Sequence, residues 1–393
     1  MSAEPAVRSA EPERAERRRD RLRTALRSAA PALLGYAAVR ALGVLLLVVW
    51  GARRGTPGLG RLSTLWDAYW YNRIATRGYA GTAPVPGPYG PYEPYAFFPA
   101  HPALVRLVDT VLPLPANRAA LLVAWTASLA AAWGVYAVAA RLYGQRAGVV
   151  AAVLWGVTPY AVVESAAYSE PLFTALAVWS LYAVLTRRWV WGGVLCLLAG
   201  LARPTGIALA AAVSLTALWE LVRGRGGPRA ALAAVLAPLG FLGYLAWVGA
   251  VKGRWDGYFR VQDAWHSHFD FGRSTLRSFG DLLTDADQVW LTQVVVAVVL
   301  IGSVVLLGMS AIQRQPLPLL LYSAAMLALA LADAAYFNSR ARFLLPAFAL
   351  LLPVATGLAR VRSRASLVLL LSSAAVVSAA YGGFVAFVYP DAP

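Results

Sequence analysis

The sequence predicts an all-α, polytopic membrane protein, and three observations carry that prediction. Apolar residues make up 59% of the 393-residue chain and charged residues only 14%, where soluble domains carry roughly 25% charged residues. The apolar residues fall in runs long enough to cross a bilayer, and the mean hydropathy is +0.59. Arginines collect in the short polar gaps between those runs, as they do on the cytoplasmic side of membrane proteins.

Residues 1–30 are polar and Arg-rich with interspersed acids, and read as a disordered basic cytoplasmic tail. A signal peptide fits poorly, because the charged region is too long and no small-residue cleavage site follows residue 50. Arg17-Arg18-Arg19 could mimic a twin-Arg signal, but the many later spans make export pointless. Residues 31–393 then form one transmembrane domain. Its apolar stretches lie at 31–50, 117–140, 147–164, 171–186, 190–202, 206–222, 230–251, 289–312, 317–335, 343–359 and 366–388. That is a bundle of about eleven transmembrane helices by the twenty-residue criterion, two of them short.

Charge sets the orientation. With the tail inside, the inner connections hold Arg141 and Arg146, Arg187 and Arg188, Arg223, Arg225 and Arg229, Arg314, and Arg360, Arg362 and Arg364; only Glu220 brings an acid near them. The outer side receives two long loops, 51–116 and 252–288, and nearly all acids outside the tail. The net charge of +16 is thus explained by arginines facing anionic lipid; no basic stripe or nucleic-acid motif is present. Lys252 is the only lysine, and this bias with the many Ala, Gly and Val points to GC-rich coding and a bacterial plasma membrane. Cys196 stands alone in an apolar run, which excludes a disulfide and a Cys-based zinc site.

Every polar constellation that looks purposeful falls on the outer side. The first is Trp66-Asp67-Ala68-Tyr69-Trp70-Tyr71-Asn72-Arg73, read as a short helix at the membrane surface with Leu62, Leu65, Tyr69 and Arg73 on one stripe. Thr64-x-x-Asp67 has the form of a capping box, so Asp67 could simply serve the helix start. Alternatively Asp67 is a general base, since a sugar hydroxyl attacks poorly until its proton can leave; Trp66 and Tyr69 then suit the apolar face of a pyranose. The second, Glu93 to Pro102, is held extended by prolines and offers Glu93 and His101 as substrate contacts, although a structural histidine is the commoner case. The third pairs Glu164 with Ser169-Glu170-Pro171, either as carboxylates for sugar hydroxyls or as a helix start favoured by the dipole.

Arg203 in Ala202-Arg203-Pro204-Thr205-Gly206, and Asn338, Arg340 and Arg342 before the tenth span, place guanidinium groups where they must pair or snorkel. The functional alternative is recognition of a lipid-borne phosphate, which Arg suits by shape and permanent charge. Arg40, mid-span in the first helix, must face the bundle. The spacing of His266-Ser267-His268 with Asp263 and Asp270 permits a metal, but no fixed motif supports one, and a solvated loop or a substrate lid with Trp255 and Trp265 fits better. No P-loop, GxSxG, HExxH or dinucleotide fingerprint is present, so neither metal nor cofactor is expected.

Trp66-Asp67 followed by Ile74-Ala75 and Gly78-Tyr79 resembles the first-loop signature of the PIG-V group, the second mannosyltransferase of GPI-anchor synthesis, and its bacterial relatives. Glu93 with Ala96-Phe97-Phe98-Pro99 and Pro102, Ser169-Glu170-Pro171-Leu172-Phe173, and Arg203-Pro204-Thr205-Gly206 are similar to that family's later segments in the same order. Together they cover residues 60–210. The resemblance implies a GT-C fold, a catalytic acid at Asp67, a polyprenyl-phosphate mannose donor and inversion at the anomeric carbon. Many GT-C enzymes carry a second adjacent acid; Ala68 stands there in this chain, which leaves one base and weakens the case for a metal. An envelope glycolipid, lipoglycan or exported acceptor is the sensible partner. A transporter or flippase of a lipid-linked sugar is the competing reading; it needs charges inside the spans, and Arg40 is its only clear candidate. A non-catalytic scaffold would leave the clustering of acids and arginines on one face unexplained.

Overall fold

The computed structural model describes residues 10–284, 289–334 and 336–391. Helix α1 (Ala10–Arg53) leads into two short surface helices, α2 (Gly58–Thr64) and α3 (Asp67–Arg77), and then, past a 3-10 turn at Pro94–Ala96, α4 (Ala100–Val111). The bundle continues with α5 (Ala116–Tyr143), α6 (Gln145–Gly156), a 3-10 turn at Ala161–Ser165, α7 (Glu170–Leu185), α8 (Trp189–Gly200), α9 (Gly206–Val222) and α10 (Pro228–Lys252). A second surface pair, α11 (Gly257–Ala264) and α12 (Arg273–Thr284), precedes α13 (Leu291–Ile312), α14 (Leu317–Ala332), α15 (Arg340–Phe343), α16 (Leu352–Ala359) and α17 (Arg364–Phe387). The described residues hold only isolated bridges, Val85 to Tyr92 and Phe269 to Asp333, and no strand.

The chain is therefore an all-helical, multi-pass membrane protein. Five helices are individually long and apolar enough to cross: Arg23–Arg53 of α1, α5, α10, α13 and α17. A sixth crossing arises if Phe337–Phe343 and Phe348–Ala359, bent by 78°, are one broken span. α7, α8, α9 and α14 are apolar but short. α8 has 12 residues, about 18 Å of helix against a hydrocarbon core of ~30 Å. Length alone thus does not reach the expected eleven.

Three local expectations are corrected. The helix starts at Ala10, so residues 10–30 are not without regular structure; Ala, Glu and Arg are strong helix formers, and they extend the first span outward. The expected tail's first nine residues lie outside the described residues. The stretch 147–164 is not one helix: α6 ends at Gly156, and Pro159 disfavours its continuation. The surface helix around Asp67 is broken. Leu65 is extended, and Trp66 takes the left-handed φ of 51° before α3 starts, an uncommon conformation for a bulky residue.

Two pairs of the Arg-rich turns are in contact. Arg187 donates to Glu220 at 3.0 Å, Arg225 holds the same carboxylate at 2.8 Å, and Arg146 donates to the carbonyl of Val361. α8 and α10 approach backbone to backbone. A Cβ at Gly240 would lie 1.8 Å from the Leu197 carbonyl oxygen, and one at Gly200 would lie 2.7 Å from the Phe241 nitrogen. Only glycine permits this contact, and it fixes the end of α8 from which Arg203 projects.

Candidate active site

Four distant stretches of chain meet around a compact charge cluster. Arg342 Nη1 donates to Asp67 Oδ2 at 3.0 Å, and its Nε faces Glu170 Oε1 at 3.4 Å. Arg203 Nη1 lies 2.6 Å from Glu170 Oε2 and donates to Ser169 Oγ at 3.0 Å. Tyr71 and Ser169 share a hydroxyl hydrogen bond of 2.6 Å. The Tyr168 hydroxyl accepts from the Asp67 backbone N–H at 3.4 Å, and the Arg342 guanidinium stands over its ring at 5.3 Å. Two carboxylates balance two guanidinium groups, so the cluster is neutral. That balance matters, because an unpaired buried charge costs several kcal/mol.

Local structure explains each placement. Asp67 opens α3, yet no side chain caps that helix. The Thr64 hydroxyl turns back to the Gly60 carbonyl at 2.8 Å, so the capping box is not formed and the Asp67 carboxylate is left for Arg342. Glu170 opens α7, where the helix dipole favours an acid, but it is also buried to 1% exposure between two arginines. Arg342 sits in the short α15 ahead of the bend. Asp67, at 18% side-chain exposure against 7% for Arg342 and Arg203, is the member of the cluster that solvent reaches.

The structure separates Arg340 from this group. Residues two apart on a helix point in nearly opposite directions. Arg340 accordingly reaches the other way, to Thr275 Oγ1 at 2.5 Å, Ser274 Oγ at 2.7 Å and the Asp333 carbonyl at 2.6 Å. Asn338 donates to the Tyr389 hydroxyl. Glu164 is likewise detached from Glu170: it accepts from Tyr36 at 2.8 Å. Next to it Arg40 donates to Ser165 Oγ at 2.9 Å and to the Gly156 carbonyl at 3.0 Å, which gives the mid-span cation its partners at the end of α6. Glu93 pairs with Lys252 at the end of α10. His101 is wholly buried with neither ring nitrogen bonded, edge-on to Tyr71 at 4.8 Å. Burial, with Arg203 nearby, holds its pKa down to about 3, so it is neutral.

Tyr69 and Arg73 stack on each other at 4.1 Å, and Trp66 lines a small cavity with Leu65, Val162 and Tyr168. The 252–288 loop docks on the 51–116 loop through Trp265, stacked on Tyr92 at 4.1 Å and edge-on to Trp70 at 5.8 Å, while Trp255 is exposed. Among the described residues no three His, Cys, Asp or Glu side chains come together to hold a metal. His266 instead stacks on Tyr89 at 4.6 Å, and the Asp270 carboxylate accepts from the backbone of Gly272 and Ser274. Tyr71, Tyr168 and Ser169 join the site without having been named as substrate contacts; the sequence signal for them is that Tyr71 belongs to the Trp66–Arg73 motif and that Tyr168 and Ser169 directly precede Glu170.

No family model matches the sequence, and no curated protein matches it. Solved structures do share its fold. ArnT from Cupriavidus metallidurans bound to undecaprenyl phosphate superposes with a TM-score of 0.51 at 17% identity, over 88% of this chain and 63% of that one. The apo state of the same protein gives 0.53 at 16% identity, over 85% and 60%. The chain thus spans less than two thirds of the ArnT length. At these identities the likeness is one of fold: the chain shares the helical-bundle fold of ArnT.

Proposed function

We propose that the protein is a membrane glycosyltransferase that takes a sugar from a polyprenyl-phosphate carrier. The observation that carries this reading is Asp67: a partly exposed carboxylate beside the Arg342 guanidinium, inside a fold shared with a protein solved with undecaprenyl phosphate bound. The mannose donor, the inverting outcome and an envelope glycolipid, lipoglycan or exported acceptor follow from the resemblance to the PIG-V group. The site faces outward and the N-terminus inward if the Arg-rich turns are cytoplasmic.

The chemistry follows from the groups. Asp67 takes the proton of the acceptor hydroxyl as its oxygen attacks the anomeric carbon. The bond from that carbon to the carrier phosphate breaks, and its electron pair leaves with the phosphate. Arg342, supported by Arg203, stabilises the charge that develops there. Glu170 holds both arginines in place, and Trp66, Tyr69 and Arg73 border the approach of the sugar. Arg40, the one cation a transporter reading could use, is tied to Ser165 and Gly156.

The test is transfer by purified protein from polyprenyl-phosphate mannose, with glycan and lipoglycan profiles of a deletion strain to find the acceptor. No product from any polyprenyl-phosphate sugar, together with reconstituted flux of the lipid-linked sugar, would replace this reading by a flippase.

A further inference from the structure

Asp67 and Glu170 hold Arg342 between them, but on unequal terms. Glu170 has a second cation, Arg203, at 2.6 Å. Asp67 has Arg342 alone within ion-pair distance among the described residues. Asp67 is also the more exposed acid, at 18% against 1% for Glu170. An anion arriving from solvent therefore meets the Arg342 guanidinium at the position the Asp67 carboxylate occupies.

That arrangement joins two roles that cannot be filled together. The carboxylate oxygen that Arg342 holds, Oδ2 of Asp67, cannot at the same time take the proton of an acceptor hydroxyl. A phosphate brought to the same guanidinium repels the carboxylate already there. We propose that Asp67 is the resting counter-ion of Arg342, that the carrier phosphate displaces it, and that the base is released only when the donor is bound. The inference rests on the proposed function and adds a binding order to it: donor first, acceptor activation second. Glu170, kept by Arg203, stays in place throughout and stops Arg342 from following the phosphate outward.

The test uses the full chain in lipid nanodiscs, titrated with undecaprenyl phosphate and read by native mass spectrometry. Asp67→Asn binds the probe roughly tenfold tighter than wild type, the size of an ordinary coupling between two ligands of one group. Glu170→Gln changes affinity much less. In an Arg342→Gln background, Asp67→Asn gives no gain. Equal or weaker binding by Asp67→Asn overturns the proposal, as does a full gain in the Arg342→Gln background, which would mark simple repulsion between carboxylate and phosphate. Should Arg342→Gln fail to fold, infrared difference spectra decide. Adding the probe to wild type shifts a carboxylate band that is missing in Asp67→Asn; an unshifted band refutes the displacement. Failure of every variant to bind undecaprenyl phosphate would remove the proposed function itself, whereas probe binding without the Asp67→Asn gain removes only the binding order.

Discussion

The Asp67 carboxylate rests 3.0 Å from Nη1 of Arg342, a residue 275 positions further along the chain. This contact brings the beginning and the end of the membrane domain to one point. If Asp67 is the base, Asp67→Asn lowers transfer by about 10²- to 10⁴-fold, the usual contribution of a positioned proton acceptor. Thermal unfolding in detergent shifts less than in Arg342→Gln, because the amide oxygen still accepts from Arg342 and Glu170 still pairs with that guanidinium. Turnover measured beside the unfolding midpoint checks both halves, and retained activity removes Asp67 from the chemistry.

Arg342 and Arg340 should behave differently although only one residue lies between them. Arg342→Gln leaves Asp67 facing Glu170 and costs about 3–5 kcal/mol of stability, as for other broken buried pairs, along with donor binding. Arg340→Gln cuts the bonds to Ser274, Thr275 and Asp333. It loosens α12, seen as faster proteolysis within 266–284, and leaves donor affinity near wild type. Equal losses of donor affinity in both variants would contradict the assignment.

His101 supplies a pH dependence of stability. Its pKa falls from 6.5 to about 3 in the fold. Between those values the unfolded chain binds the additional proton, so stability is complete above pH 6.5 and is lost as the pH drops towards 3, at up to about 1.4 kcal/mol per pH unit. His101→Phe, which keeps an aromatic edge against Tyr71, removes that acid-side slope. Unfolding midpoints of both forms over this range provide the comparison.

Gly240→Ala tests whether α8 needs its close contact with α10. The new methyl meets the Leu197 carbonyl at 1.8 Å, so the helices must part, at about 1–3 kcal/mol. Because Arg203 follows α8, donor binding should weaken as well, although Gly240 touches no site residue. Unchanged undecaprenyl phosphate affinity would show that Arg203 is positioned independently of this contact.

Hydropathy located the helices well, since each expected apolar stretch is met by a helix or by the bent pair. Sequence periodicity reports which segments avoid water, but not where a helix breaks, so the interruptions at Trp66 and after Gly156 went unread. In the site, Asp67, Glu170, Arg203 and Arg342 were all named in advance as polar groups at one end of the bundle. Their pairing was not legible, because an ion pair spanning 275 residues leaves no local pattern. Arg340 and Arg342 look equivalent in the sequence, and only the turn of α15 sends one to Ser274 and the other to Asp67. Glu164 and His101 lie outside the ion-pair cluster for a related reason: depth within the bundle depends on neighbours far away in the chain.

Because its charged groups come from residues 67, 170, 203 and 342, the ion-pair cluster is completed late in biogenesis. A ribosome that has delivered both acids and Arg203 has made a cluster short by one positive charge, and that deficit persists until the C-terminal part of the chain inserts. Truncation upstream of α15 should therefore leave a protein retaining the motifs of residues 60–210 but exposed to membrane quality control, with Glu170 still paired to Arg203 and Asp67 left without a cation.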